Sequence, residues 1–278
     1  MALYNMKEIL LDAQKRAYGV GYFNAVNLEM IRAYIEAAEE LDSPIIIGTA
    51  EALLPIAPFE WIVPAMLDAA RRARVPVAVH LDHTYHFNTL MQALRAGFGS
   101  IMYDGSRESH EDNLQHSAAI ARIAHGMGVG LECELGSVSG LADEAGHEDK
   151  MVYTEPSEAA AFLERTGADF LAVSIGTVHG VYKAEPHLDI PRLKQIRAAV
   201  DAPLVLHGGS GLSDADFQNT IAGGIAKINV FTDVILAAKR ALAEHPEASY
   251  NDGICLAREA MKEATLEKLR VFGSAGKA

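Results

Sequence analysis

An alternation along the chain constrains its fold more than any other feature. Eight short runs rich in apolar and β-branched residues recur: Gly21–Val26, Pro44–Thr49, Pro76–Asp82, Ser100–Asp104, Val129–Gly136, Phe170–Gly176, Pro203–Gly208 and Ala226–Thr232. Between them Leu28–Glu40, Trp61–Arg72, Asn88–Ala96, Glu111–His125, Ser157–Thr166, Ile190–Ala199 and Ser213–Ala222 repeat apolar residues at helical spacing. Strands alternating with helices imply right-handed βαβ units and a parallel sheet. Strands that are apolar throughout imply that both sheet faces are covered. Eight such strands in 278 residues match a (β/α)8 TIM barrel in number and length.

A doubly wound open sheet is the rival. No G-x-G-x-x-G follows the first strand, so the dinucleotide fingerprint is missing. Polar residues also sit at nearly every strand's C-terminal end: Asn24, Thr49, Asp82, Asp104, Glu134, His179, His207 and Asn229. A barrel gathers those ends at one mouth, whereas an open sheet strings them along an edge. The chain therefore reads as one barrel domain over residues 1–278 with extra C-terminal helices in Ile235–Phe272. Lys7–Ala17 is a helix suited to cap the barrel bottom. The tail Gly273–Ala278 is small, polar and terminal, and is expected to be mobile.

Acidic residues outnumber basic ones 37 to 24, a formal charge of −13. That disfavours nucleic acid as a partner, because neutralising phosphates takes clustered Lys and Arg. A local anion site built from backbone N–H groups stays open. No apolar run reaches the roughly 18 residues of a membrane span, so no membrane association is expected. Met1–Glu8 lacks the cationic patch and apolar stretch of a signal peptide. Two cysteines, Cys133 and Cys255, make no disulfide framework, and a cytoplasmic setting is expected.

Of eleven histidines, His110, His116, His125 and His245 lie in polar helices or loops and read as surface residues. Three others end strands: His83 in His80-Leu81-Asp82-His83, His179 in Gly176-Thr177-Val178-His179-Gly180, and His207 in Val205-Leu206-His207-Gly208-Gly209. All three are expected at the mouth. Converging imidazoles there suit a catalytic Zn²⁺, which takes three protein ligands and keeps an open position. The plainer alternative is that each caps its strand and hydrogen-bonds locally. Asp82, beside a candidate ligand, suits either orienting a histidine or acid–base work. Glu132 and Glu134 alternate with apolar residues, so both point inward and need partners. Lys227 is expected to pair with Glu132, while Glu134 lies nearer metal or substrate. Gly208–Gly211 and Asn229–Thr232 follow strands seven and eight, where barrels often bind phosphate. Glycines there admit close backbone approach, and a helix start at Ser213 or Thr232 adds positive potential. A simple tight turn is the competing reading.

Together these blocks resemble the class II, zinc-dependent aldolases of the fructose-bisphosphate and tagatose-bisphosphate type. The likeness runs from Met6 to about Phe272 through Phe23-Asn24, His80–His83, Met102–Ser106, Leu131–Gly136, His179–Lys183, His207–Gly211 and Lys227–Thr232. It implies that His83, His179 and His207 bind Zn²⁺ and that Asp82 is the proton donor and acceptor at the aldehyde oxygen. Glu134 and Asp104 match acidic residues near the metal, where a second metal ion or a monovalent cation has a place. Gly180, Gly208, Gly209, Ser210, Asn229, Val230, Phe231 and Thr232 would hold dihydroxyacetone phosphate, and Asn24 would contact the phosphorylated sugar near its reacting carbons. A homodimer or homotetramer is implied. Cleaving a carbon–carbon bond beside a carbonyl leaves enediolate charge, which Zn²⁺ stabilises as a Lewis acid. A lysine Schiff base is disfavoured, because no lysine ends strand six and Lys227 is mid-strand.

Two positions depart from the family pattern. Ala142 falls where the loop after Gly136 is expected to carry a proton-transferring Glu; Asp143 or Glu144 would substitute after a loop shift. Cys255, six residues before Met261, falls where bisphosphate-specific members carry an Arg; Arg258 lies one helical turn on. The expected activity is cleavage of a ketose 1-phosphate to dihydroxyacetone phosphate and an unphosphorylated, hydroxylated or acidic aldehyde. Fructose- or tagatose-1,6-bisphosphate cleavage is the alternative. A metal-dependent phosphoesterase or a non-catalytic accessory subunit on the same barrel is more remote.

Overall fold

The computed structural model describes residues 4–138, 151–180, 182 and 184–278. Eight parallel strands close a barrel in sequence order: β1 Val20–Asn24, β2 Ile45–Ala50, β3 Val77–Thr84, β4 Ser100–Tyr103, β5 Gly130–Leu135, β6 Phe170–Val173, β7 Leu204–Leu206 and β8 Ile225–Val230. Closure runs through β8 and β1, which pair from Val20↔Lys227 to Phe23↔Val230. The chain therefore forms the barrel, not the open sheet. Helices α2 Leu28–Glu40, α3 Phe59–Arg72, α4 Phe87–Ala96, α5 His110–Gly126, α6 Pro156–Thr166, α7 Ile190–Ala199 and α8 Asp214–Ala222 form the connections. They start where the sequence offers caps: Asn27, Ser109 and Ser213 side chains each accept a first-turn N–H. A short 3-10 turn at Glu51–Leu53 has no helical signal in the sequence. The C-terminal region makes two helices, α9 Thr232–Glu244 and α10 Tyr250–Val271, and α10 packs against both α9 and α2.

The alternation of the strands divides the apolar residues into two cores. Outward side chains such as Ile45, Ile47, Val77, Val79 and Leu131 pack under the helices. Inward ones, Tyr22, Ile46, Ala78, Phe170, Ala172 and Val205, fill the lower barrel. There they meet Met6, Ile9, Leu10 and Ala13 of the first helix, α1 Met6–Arg16, which closes the bottom. The lower interior is thus largely apolar, with the Ser100 hydroxyl, 3.2 Å from Met6 Sδ, linking it to the polar upper layers.

The expectation of a mobile tail is wrong. Ser274 is buried and its hydroxyl bonds Ser43 Oγ at 2.9 Å and Leu269 O at 3.1 Å. The amides of Gly276, Lys277 and Ala278 donate to the carbonyls of Leu41 and Asp42. Small residues let this tail lie flat across the α2–β2 turn, so composition alone misjudged it.

Asp169, just before β6, ties the bottom together. Its side chain, only 7% exposed, accepts from Lys7 Nζ at 2.8 Å, from His125 Nε2 at 2.8 Å and from the Leu131 amide at 2.9 Å. Burial alone would raise its carboxyl, but these donors outweigh it and hold the group below the ordinary carboxylate range. A depressed folded pKa contributes stability above the unfolded value of about 3.9 and loses it as pH falls through the folded one. Asp169→Asn should cost about 1–3 kcal/mol at pH 7 and narrow its gap to wild type below about pH 4. Urea melts at pH 7 and pH 3.5 check this; an equal gap at both overturns it.

Candidate active site

Adjacent strand residues point to opposite faces, so Asp82 and His83 cannot both face the mouth of a regular strand. The ladder between β3 and β4 breaks between Leu81 and Thr84, and His83 takes φ 29°, a left-handed conformation rare for a side-chain-bearing residue. This irregularity turns His83 inward beside Asp82. It is held from outside: Glu51, on the 3-10 turn after β2, accepts the Tyr85 and His86 amides at 2.9 and 3.2 Å and the Thr89 hydroxyl. Glu51 thereby caps α4 from a distant segment, a task no local residue performs. Nothing in the sequence pattern marks the bulge or its clamp.

His83, His179 and His207 come together. Ring centroids lie 4.9 Å apart for His83–His179, 4.4 Å for His83–His207 and 5.9 Å for His179–His207. One nitrogen of each, His83 Nε2, His179 Nε2 and His207 Nδ1, is buried without a hydrogen-bond partner. Ligand atoms of the three rings lie within 4.8 Å of one another. On two rings a carboxylate holds the opposite nitrogen: Asp104 Oδ2 is 2.8 Å from His83 Nδ1, and Glu132 Oε1 is 2.9 Å from His207 Nε2. That is how metal-binding imidazoles are aimed and their tautomers fixed. Three orphaned nitrogens facing one point fit a Zn²⁺ ion bonded at about 2.0–2.1 Å. The local alternative, strand caps satisfied by their own hydrogen bonds, does not describe these nitrogens.

The charges point the same way. Asp82, Asp104, Glu132 and Glu134 are all buried here, and Lys227 is the buried ammonium among the described residues. Burial alone would raise Asp82, yet the His83 and Lys227 charges hold it well below the ordinary carboxylate range. Burial pushes Glu134 up to about 8, and the Asp104 charge adds to this. Against the lowering effect of burial, Asp82 and Asp104 push His83 up to about 10. Burial and the His83 charge push His179 down to about 3. The buried acids thus favour positive charge at this point.

Lys227 pairs with Glu132, its Nζ 2.8 and 3.1 Å from the two carboxylate oxygens. Asp82, which the sequence allowed as a histidine orienter, does not play that part: Asp104 and Glu132 do. Asp82 instead accepts from Asn229 Nδ2 at 3.0 and 3.2 Å. Asp104 also accepts from Ser106 N and Oγ, and Glu134 Oε1 from the Val138 amide, leaving Glu134 Oε2 unpartnered 3.5 Å from His207 Nδ1. Asp104, Glu134 and His83 form a second group of close ligand atoms.

Above the histidines lies a cavity of about 140 Å³. Asn24, Asp82, His83, His179, Gly180, Gly208, Ser210, Asn229, Val230, Phe231 and Thr232 line it, while Gly209 lies just outside the lining. Gly208 has φ 67°, and a Cβ there would sit 2.4 Å from Val178 O, so the two mouth loops close only over glycine. Ser210 Oγ accepts the Phe231 and Asp233 amides at 3.2 and 3.3 Å, joining the β7 loop to the start of α9. Of the two expected helix starts, Thr232 lines the cavity. Ser213 does not; its hydroxyl is spent in a capping box with Asp216. Asn24 Oδ1 accepts from Tyr22 OH at 2.6 Å. Ala142, Asp143 and Glu144 lie outside the described residues. Cys255 is exposed on α10, and neither it nor Arg258 lines the cavity. His110, His116, His125 and His245 are exposed, and both cysteines are free. Among the described residues no helix is long and apolar enough to cross a membrane.

The family model of class-II fructose-bisphosphate aldolase matches residues 4–277. The chain belongs to that family. Its members are lyases, and so is this chain. A fructose-bisphosphate aldolase of Thermus caldophilus is 40% identical over 300 residues, covering 98% of each chain. A sulfofructosephosphate aldolase of Alkalicoccus urumqiensis is also 40% identical, over 285 residues, covering 100% of this chain and 99% of the relative. The crystal structure of the YdjI aldolase from Escherichia coli K12 superposes over the whole of both chains with a TM-score of 0.91 at 37% identity.

Proposed function

We propose that this aldolase is zinc-dependent and reversibly cleaves a ketose 1-phosphate to dihydroxyacetone phosphate and an unphosphorylated aldehyde. The observation that carries the metal is the trio of buried, unpartnered imidazole nitrogens on rings whose ligand atoms lie within 4.8 Å of one another, with His83 and His179 lining the cavity. His83, His179 and His207 would hold the ion, with Asp104 and Glu132 aiming two of them. Bound there, Zn²⁺ supplies Lewis acidity for the negative charge that carbon–carbon cleavage leaves beside a carbonyl. Asp82 is ionised and its carboxylate is fixed by Asn229, so it can take the proton from the hydroxyl that becomes the aldehyde oxygen and return it on condensation. Gly180, Gly208 to Ser210 and Asn229 to Thr232 would bind the phosphate through backbone amides and the start of α9. A cytoplasmic homodimer or homotetramer is proposed on the family resemblance alone.

The choice of substrate rests on what is built at each end. The phosphate end has a glycine-lined loop pair and a helix start. For the other end, α10 contributes no residue to the cavity lining, and Cys255 stands where bisphosphate-specific members carry an Arg. Two relatives at the same 40% identity are named for substrates whose far ends differ, so overall likeness does not choose between them.

Chelation should abolish turnover and Zn²⁺ should restore it, with one ion per chain by elemental analysis; full activity in a metal-free sample overturns the mechanism. Asp82→Ala should keep its zinc and lower kcat by about 10²-fold or more; loss of the metal instead would make Asp82 structural. A ketose 1-phosphate should match or exceed the corresponding bisphosphate in kcat/KM. A preference for the bisphosphate of about tenfold or more, worth about 1.4 kcal/mol, would mean a cation reaches the distal phosphate.

A further inference from the structure

His80, Asp82 and Glu132 bring ligand atoms within 4.8 Å of one another, the spacing of a second metal site one layer below the mouth. The cation there is already part of the chain. Lys227 Nζ lies 2.8 and 3.1 Å from the two Glu132 oxygens and 3.8 Å from Asp82 Oδ1, and it stands 4.6 Å over the Tyr22 ring. We infer that Lys227 is a positioning residue that ties the metal ligand His207 to the proton-transferring Asp82. This rests on the zinc-aldolase reading above.

The connection to His207 runs through one atom. Glu132 Oε1 receives both Lys227 Nζ and His207 Nε2, at 3.1 and 2.9 Å. Bonded to both oxygens, the ammonium fixes the plane of the carboxylate. That aims Oε1 at Nε2 and keeps Nδ1 turned toward the other two imidazoles. The connection to Asp82 is electrostatic and shared with Asn229, whose amide holds the same carboxylate from the β8 side. His80 stands between the two acids, 3.7 Å from Asp82 and 3.5 Å from Glu132, and is anchored by Ser100 Oγ at 2.9 Å.

Stability does not explain this ion pair. Ile46, Ala78, Phe170, Ala172 and Val205 fill the barrel interior around and below it with apolar side chains. A fully buried pair generally stabilises no more than apolar side chains of the same volume, because both ions lose their hydration. What apolar residues cannot do is hold a carboxylate ionised and oriented against a metal ligand.

A cycle of Lys227→Met, Glu132→Gln and the double variant separates these roles in the zinc-loaded enzyme. The Glu132→Gln side chain keeps an acceptor for His207 but gives Lys227 no charge to orient. Zn²⁺ affinity is read by chelator competition, and the ligand field by absorption of the Co²⁺-substituted protein. Lys227→Met should weaken Zn²⁺ binding about tenfold or more in the native background and shift the Co²⁺ bands. In the Glu132→Gln background it should change affinity by no more than about twofold. There it should still lower kcat with KM unchanged, because Asp82 loses its neighbour. An equal loss of affinity in both backgrounds, or none in the native one, overturns the inference; an unchanged kcat in the double variant overturns the Asp82 half. Should Lys227→Met fail to fold, Glu132→Gln and the double variant leave no stranded carboxylate on β5 at this level. Their Zn²⁺ affinities should then agree within about twofold, and a tenfold gap overturns the inference. Wild-type protein that cleaves no ketose phosphate would sink the aldolase reading while leaving the metal cycle readable.

Discussion

Four buried carboxylates, with one buried ammonium beside two of them, set the terms for everything at the barrel mouth. Taking an ion out of water costs about several kcal/mol even after relaxation, so such a cluster survives only if the deficit of positive charge is met. Lys227 meets part of it. The His83 ring is driven toward its charged form, while His179 and His207 stay neutral and keep open nitrogens beside it. The divalent ion proposed for these nitrogens would complete the balance and account for the crowding of the acids despite the cost. The apolar plug of α1 and the lower barrel keeps water from the underside, so the charges interact with little screening.

The second requirement is geometric. Bringing the side chains of the consecutive residues Asp82 and His83 to one face needs a strand that breaks its own alternation. The bulge after Leu81 and the left-handed His83 provide it, and a residue in that conformation persists only when its surroundings over-determine it. Asp104 holds the His83 ring from within and Glu51 holds the following turn from without. The rigidity of the site therefore comes from three strands, not from β3 alone.

The barrel was legible because its signal is repeated: Leu28–Glu40 and Ile190–Ala199 form helices with those same ends, and eight apolar runs leave few topologies. The histidines were legible because each lies at or beyond the C-terminal end of a strand, His179 six residues past β6. The Lys227–Glu132 pair was legible from period two alone. What escaped has no periodicity. The bulge, the long-range Glu51 clamp and the docking of Gly273–Ala278 across the α2–β2 turn all depend on contacts between distant segments. Asn229 lines the cavity and its amide also donates to Asp82; a polar residue at a strand end declares its chemistry but not its partner.

The same limit separates reaction from substrate. The chemistry is written into strands, whose register fixes side chains regardless of the loops, so it can be read from short motifs. The choice of aldehyde is made where loops and the late helices meet the cavity, and no residue of α10 reaches that lining. Whatever recognises the far end of the substrate must come from the rim of the mouth. There a single substitution can remove a bidentate partner without disturbing the barrel. Relatives equally similar to this chain can then carry different substrate names, because identity counts the scaffold and specificity counts a handful of rim residues.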